Sequence, residues 1–181
     1  MKHLAALIAA VAAVALAAPA TAALPVGARA PIFTTDAALG GKQFRFAMKS
    51  ALRKGPVVLY FFPAAFTKGC TIEAHEFALA AAEFERNGAT LIGLSADPID
   101  KLADFSKVEC REAFPVGVAS PATVSGYDVH IGAGKTMTNR TSYVIAPDGK
   151  VIYALTQMSP AGHVSGTMDA VKAWRAAHRR R

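Results

Sequence analysis

The sequence predicts an α/β domain with a central mixed sheet flanked by helices, and three observations carry that prediction. Residues 57–62, VVLYFF, form an unbroken apolar, β-prone run between Pro56 and Pro63, the pattern of a strand covered on both faces of a sheet. A second such run, residues 90–95, follows a stretch of helical periodicity from Cys70 to Arg86. Strand, helix, strand in that order predicts a βαβ unit with parallel strands. Near the end, residues 141–145 and 151–155 flank the turn residues of 146–150, APDGK, and predict an antiparallel hairpin.

Taken in order, residues 25–34 carry Pro and Gly punctuation and read as an extended lead-in. It passes through Gly40 and Gly41 into the alternating Gln43, Phe44, Arg45 and Phe46, a short strand pattern. Gly55 and Pro56 break the chain before the central strand. In the helix that follows, Ile72, Phe77, Leu79, Ala80 and Phe84 recur at largely helical spacing, and Asn87 with Gly88 marks its end. Asp97 and Pro98 open a second helix, with Ile99, Leu102 and Phe105 keeping an apolar face to about Glu109. Residues 114–118 suit a short strand, whereas the polar stretch 120–138 has no periodicity that assigns it. After the hairpin, an amphipathic helix over residues 165–177 uses Val171 and Trp174. This order of elements is thioredoxin-like, and a fold alone does not give a function.

Composition limits the rest. The 181 residues suit one domain, and 52% hydrophobic with 18% charged residues excludes disorder for most of the chain. Lys2 and His3 precede the fifteen apolar residues 4–18, then Pro19 and the A-x-A pattern Ala20, Thr21, Ala22. That predicts a signal peptide over residues 1–22, too short to span a bilayer, and a mature domain over 23–181. The expected location is periplasmic or secreted, with no membrane attachment after cleavage. The formal charge of +7 raises the question of nucleic acid. Arg45, Lys49, Arg53 and Lys54 are dispersed, however, and the block at residues 179–181 follows a helix whose C-terminal end favours cations. No nucleic-acid partner is expected.

Two cysteines, Cys70 and Cys110, are too few for a disulfide scaffold and form no C-x-x-C pair. The stretch that carries chemistry is residues 63–71, PAAFTKGCT, where the central strand hands over to a helix. Sites in open α/β sheets form at the carboxyl ends of strands. A thiol is nucleophilic as thiolate, and a helix N-terminus stabilises that anion with unpaired N–H groups and positive partial charge. Cys70 is at that place. Thr67 is positioned to set a hydroxyl beside the sulfur, Lys68 adds a cation, and Pro63 rigidifies the strand exit. Read alone, a free cysteine here would be an inert core thiol.

The pattern P-x-x-x-T-x-x-C of Pro63, Thr67 and Cys70 resembles the peroxidatic motif of the peroxiredoxins. Residues 57–76, VVLYFFPAAFTKGCTIEAHE, with 94–97 and 140–150, are similar to the bacterioferritin-comigratory or Q-type subfamily of the alkyl hydroperoxide reductase/thiol-specific antioxidant family. The resemblance runs from about Leu24 to Trp174. It implies a thioredoxin-like peroxidase that needs no metal or organic cofactor. Cys70 would attack the peroxide, with Pro63, Thr67 and Arg140 shielding and polarising the reacting atoms. A thiol reductant protein such as a thioredoxin-like donor would return the electrons, and the protein would be a monomer or weak dimer.

Two departures stand out. Lys68 occupies a position often held by Pro, and His75 stands where many relatives carry a resolving cysteine. Some Q-type relatives place that cysteine in the helix after the second strand, which makes Cys110 the internal candidate for a bond to Cys70. Their cysteine directly follows the counterpart of Phe105, whereas Cys110 lies five residues beyond it. The competing expectation is a one-cysteine enzyme resolved by an external thiol. His163 resembles a recurring histidine near the start of the last helix, where a capping or packing role is expected. A different class, a thioredoxin-like copper chaperone, would use Cys70 with His75, His130 and His163. Thioredoxin-type disulfide exchange would need the missing C-x-x-C.

Overall fold

The strand β3 (Val57–Phe61) is buried at every position and pairs on both sides, parallel to β4 (Thr90–Ser95) and antiparallel to β6 (Thr141–Ile145). The computed structural model containing it describes residues 23–132 and 137–178. The expected signal peptide at 1–22 and the basic block at 179–181 lie outside the described residues. Around β3 the seven-stranded sheet runs β2-β1-β5-β4-β3-β6-β7. It adds β1 (Thr34–Leu39), β2 (Lys42–Ala47), β5 (Val116–Val118) and β7 (Val151–Thr156). β5 runs parallel to β4, and β1 antiparallel to β5 and β2. The sheet is mixed, as the sequence predicts.

Because side chains alternate across a strand, β3 feeds two cores. Val57, Leu59 and Phe61 join Met48, Ala51 and Leu52 of α1 (Met48–Leu52) and Val124 of α4 (Pro121–Gly126) in one apolar cluster. On the other face, Val58, Tyr60 and Phe62 pack with Phe77 and Phe84 of α2 (Lys68–Arg86). Leu102 and Phe105 of α3 (Ile99–Val108) and Met168 and Val171 of α5 (His163–His178) complete that second cluster, which also holds Cys70 and Cys110.

The structure departs from the sequence expectation at several places, among them β1 and α1, neither of which the sequence reading assigned. α2 begins at Lys68, two residues ahead of Cys70, with Thr67 as N-cap, so Cys70 is inside the first turn. α5 begins at His163 rather than Ser165. The unassigned stretch contains α4, capped by Ser120, whose hydroxyl accepts from the Thr123 N–H at 3.1 Å. Pro121 follows at the first turn, but six residues are too few to display a helical period.

Candidate active site

Two strands deliver the site to one end of the sheet. In the antiparallel pairing of β3 with β6, Phe61 stands opposite Thr141. The loop leaving β3 and the residue entering β6, Arg140, therefore meet beyond the same edge. The loop is pinned by its neighbour strand: the Phe62 N–H donates to the Leu94 carbonyl at 3.0 Å. Asp97, just past β4, accepts from the Ala65 N–H at 2.7 Å and from the Ser95 hydroxyl at 3.0 Å. Lys101 closes on the other Asp97 oxygen at 2.8 Å. Phe66 sits at a positive φ of 66°, unusual for a bulky residue, with its ring edge-on to Phe105 at 5.3 Å.

Pro63 is half-buried, and Thr67 and Lys68 are exposed at the start of α2. The Thr67 hydroxyl donates to the Ala64 carbonyl at 3.0 Å. Within that first turn, Cys70 is 2% exposed, and the Arg140 Nη2 donates to its Sγ at 3.5 Å. The rest of the guanidinium is occupied. Its Nε donates to the Met158 carbonyl at 3.0 Å, and its Nη1 donates to Glu73 Oε2. Gly69 leaves the space this requires, since a Cβ there would lie 3.0 Å from Arg140 Nη2. Held at two points, the planar guanidinium presents its third face to the sulfur.

Glu73, one helical turn beyond Cys70, is a participant that the sequence reading does not single out. A lone carboxylate on a helix reads as a solvated group, and only the tertiary pairing shows otherwise. Burial pushes its carboxyl up to about 8, against the pull of the neighbouring Arg140 guanidinium. Its Oε1 has no hydrogen-bond partner among the described residues and lies 3.7 Å from Nδ1 of His163. His163 is fully buried. It bonds to the Ser142 hydroxyl at 2.8 Å and, through Nε2, to the Gln157 carbonyl at 3.2 Å. Burial holds its imidazole below the usual range, which favours the neutral ring.

The other two sequence-selected positions meet elsewhere. His75 Nε2 pairs with Glu109 at 2.7 Å, joining α2 to the residue just before Cys110. Cys110 is fully buried, burial pushes its thiol up, and both cysteines are free thiols in one apolar cluster. The histidines proposed for copper are engaged separately, His130 with Ser125 at 3.2 Å. Among the described residues no three His, Cys, Asp or Glu side chains gather to hold a metal. What the arrangement offers is one thiol, a fixed cation at 3.5 Å from it, and a proton-bearing carboxyl behind the cation.

Comparison with known proteins agrees with this chemistry. A profile of the AhpC/TSA family matches residues 26–154. A Mycobacterium tuberculosis protein whose name places it provisionally among the peroxiredoxins is 38% identical over 128 residues, 68% of this chain and 82% of that protein. Peroxiredoxin Bcp of Xanthomonas campestris is 30% identical over 123 residues, 65% of this chain and 76% of its own. Among solved structures, peroxidoxin BcpB from Mycobacterium tuberculosis is similar with a TM-score of 0.70 and 32% identity, over 82% of this chain and 96% of that one. Xanthomonas campestris peroxiredoxin Q gives 0.65 and 27%, over 77% and 90%.

Proposed function

This chain belongs to the AhpC/TSA family and is a peroxiredoxin-type peroxidase, and from that premise we propose that it is an exported enzyme reducing hydrogen peroxide and organic hydroperoxides through Cys70. The Cys70 thiolate donates an electron pair to one peroxide oxygen. An S–O bond forms, the O–O bond breaks, and the departing oxygen takes up a proton to leave as water or alcohol, so the sulfur becomes a sulfenic acid. Arg140 stabilises both the thiolate and the charge growing on the leaving oxygen. Thr67 exchanges hydrogen bonds with the reacting oxygens, and Pro63 excludes water at the rim. The observation that carries this assignment is the Arg140 Nη2 to Cys70 Sγ contact at 3.5 Å. Stopped-flow peroxide reduction by the mature protein tests it: Cys70→Ser is expected to abolish turnover, and full turnover in that variant overturns the assignment.

The sulfenic acid is resolved by Cys110 in this reading. Supporting it, the two thiols share one buried cluster, and the segment before Cys110 is attached to α2 through His75 and Glu109. A disulfide needs Cα atoms within about 7 Å, so the first turn of α2 must open. Reduction then falls to an external thiol protein such as a thioredoxin-like donor. Mass spectrometry after one equivalent of peroxide is expected to find Cys70 joined to Cys110. A stable Cys70 sulfenic acid beside an alkylatable Cys110 instead identifies a one-cysteine enzyme. Export rests on residues 1–22, and fractionation of cells making the full chain, with N-terminal sequencing, is expected to recover a periplasmic or secreted product beginning at Ala23.

A further inference from the structure

Tyr60 has a hydroxyl without a hydrogen bond among the described residues. The side chain is 1% exposed, and its oxygen has no partner among the described residues. Burying an unsatisfied hydroxyl costs stability, and phenylalanine would fill the same place without that cost. The ring itself is firmly held, stacked on Phe77 at 4.3 Å and packed against Phe62 at 5.5 Å and Phe114 at 5.9 Å. β4 makes room for it. Gly93 stands opposite Tyr60 in the parallel register, and a Cβ at Gly93 would lie 2.6 Å from the ring carbon that bears the hydroxyl and 2.8 Å from the oxygen. Two positions of the sheet are thus given over to a polar atom with nothing to bond.

The surroundings of that atom match a chemical need. Tyr60 shares its apolar cluster with both Cys70 and Cys110, and the titratable or charged groups that act on its phenol are Cys110, Glu73, Cys70 and Arg140. Burial, reinforced by Cys110, Glu73 and Cys70 and opposed by Arg140, keeps the phenol protonated well above the ordinary tyrosine range. When Cys110 attacks the Cys70 sulfenic acid, an S–S bond forms and the S–O bond breaks. Cys110 must lose a proton, and the hydroxide leaving Cys70 must gain one. Cys110 is a buried thiol whose environment disfavours the thiolate, and the neighbouring carboxylate of Glu109 is engaged by His75.

We propose that Tyr60 is the proton relay of the resolving step: its phenol oxygen takes the proton of Cys110 while its own proton passes to the hydroxide leaving Cys70. Water departs, the disulfide forms, and Tyr60 ends as the phenol it began as, so no further reactant is consumed. Tyr60 suits the role because it belongs to the central strand and stays fixed while the first turn of α2 opens. The proposal rests on the reading that Cys110 resolves Cys70.

The test uses mature protein carrying Tyr60→Phe, which removes one oxygen and keeps the ring. Sulfenic acid formation by one equivalent of hydrogen peroxide, followed by stopped flow, is expected to stay within about twofold of wild type. Disulfide formation, followed by acid quench and mass spectrometry, is expected to slow at least about tenfold at pH 7. That gap should narrow as rising pH supplies the Cys110 thiolate without a relay, and the thermal midpoint should be equal to or above that of wild type. Disulfide formation at the wild-type rate in Tyr60→Phe overturns the proposal. So does a slowing that is the same at every pH and accompanied by a lower thermal midpoint, which marks a packing defect. If wild type itself accumulates Cys70 sulfenic acid with Cys110 alkylatable, the two-cysteine reading has failed and the relay falls with it.

Discussion

Glu73 and Arg140 form an ion pair whose side chains are 0% and 4% exposed, and the guanidinium nitrogen not used by that pair or by the Met158 carbonyl is the one that reaches Cys70. The carboxylate therefore aims the cation. Once Glu73 is ionised, removing either partner costs about 3–5 kcal/mol, because it strands the other charge.

The pair should leave a mark on stability as a function of pH. Glu73 titrates near 4.5 in its ordinary state and near 8 in the folded chain. Between those values the folded protein retains a proton that the unfolded chain has released, so stability falls as pH rises through the window. Urea midpoints measured from pH 4.5 to 8 should show this decline in wild type. Glu73→Gln should be close to wild type at low pH, more stable than wild type near pH 8, and flatter in slope, since its amide does not titrate. An unchanged slope in Glu73→Gln would assign the decline to other groups.

Gly69→Ala separates activity from stability. The added methyl would press on Arg140 Nη2 from 3.0 Å and turn the guanidinium off the sulfur. At the same time alanine is favoured over glycine in a helix by up to about 1 kcal/mol. The expected outcome is peroxide reduction slowed about tenfold, or ~1.4 kcal/mol in barrier, with an equal or higher thermal midpoint. A variant of wild-type rate would show that the guanidinium has room to spare.

His75→Ala releases the attachment between α2 and the segment before Cys110. The pair is partly exposed, 35% and 19%, so its contribution is about 0–1 kcal/mol. Local opening is sensitive to that amount. Amide hydrogen exchange in the first turns of α2 and around Cys110 is expected to quicken by about twofold to fivefold, with global stability barely altered. Disulfide formation should accelerate by a comparable factor where opening limits it.

Asp97→Asn tests the anchor of the loop. Its carboxylate receives the Ala65 N–H, the Ser95 hydroxyl and Lys101, and hydrogen bonds to a charged group contribute about 1.5–3 kcal/mol each. The amide oxygen can keep the contacts to Ala65 and Ser95, which share one Asp97 oxygen, while the amide nitrogen faces Lys101 and loses that contact and the charge. A loss of about 1–2 kcal/mol in stability and a fall in the rate of peroxide reduction are expected from denaturation and stopped-flow measurements.

Legibility from sequence followed the length and regularity of the elements. β3, β4 and the β6–β7 hairpin are continuous apolar runs bounded by Pro, Gly or Asp, and such runs declare themselves. α4 and α1, with six and five residues, are shorter than two helical turns and present no period. The site divides along the same line. Cys70, Thr67 and Pro63 lie within one local motif, so their proximity follows from spacing. The placing of Arg140 against Cys70 depends on the β3–β6 register, and for that position only family resemblance supplied the expectation. Glu73 and Tyr60 gave no signal, because a helix carboxylate and a strand tyrosine look ordinary until their burial is known. The same holds for the His75–Glu109 pair, which spans 34 positions of sequence.

The β3–β6 register has a further meaning for the newly made chain. Arg140 enters the site because Phe61 pairs with Thr141 and Tyr60 with Ser142; a slip of one residue would turn Arg140 to the opposite side of the sheet. During synthesis, Cys70 emerges long before its cationic partner exists, and the contact between them forms only when β6 has docked. The arrangement assigned to peroxide reduction thus belongs to the completed sheet rather than to the growing chain. Peroxide consumption during refolding would count finished molecules, making the reaction its own maturation clock.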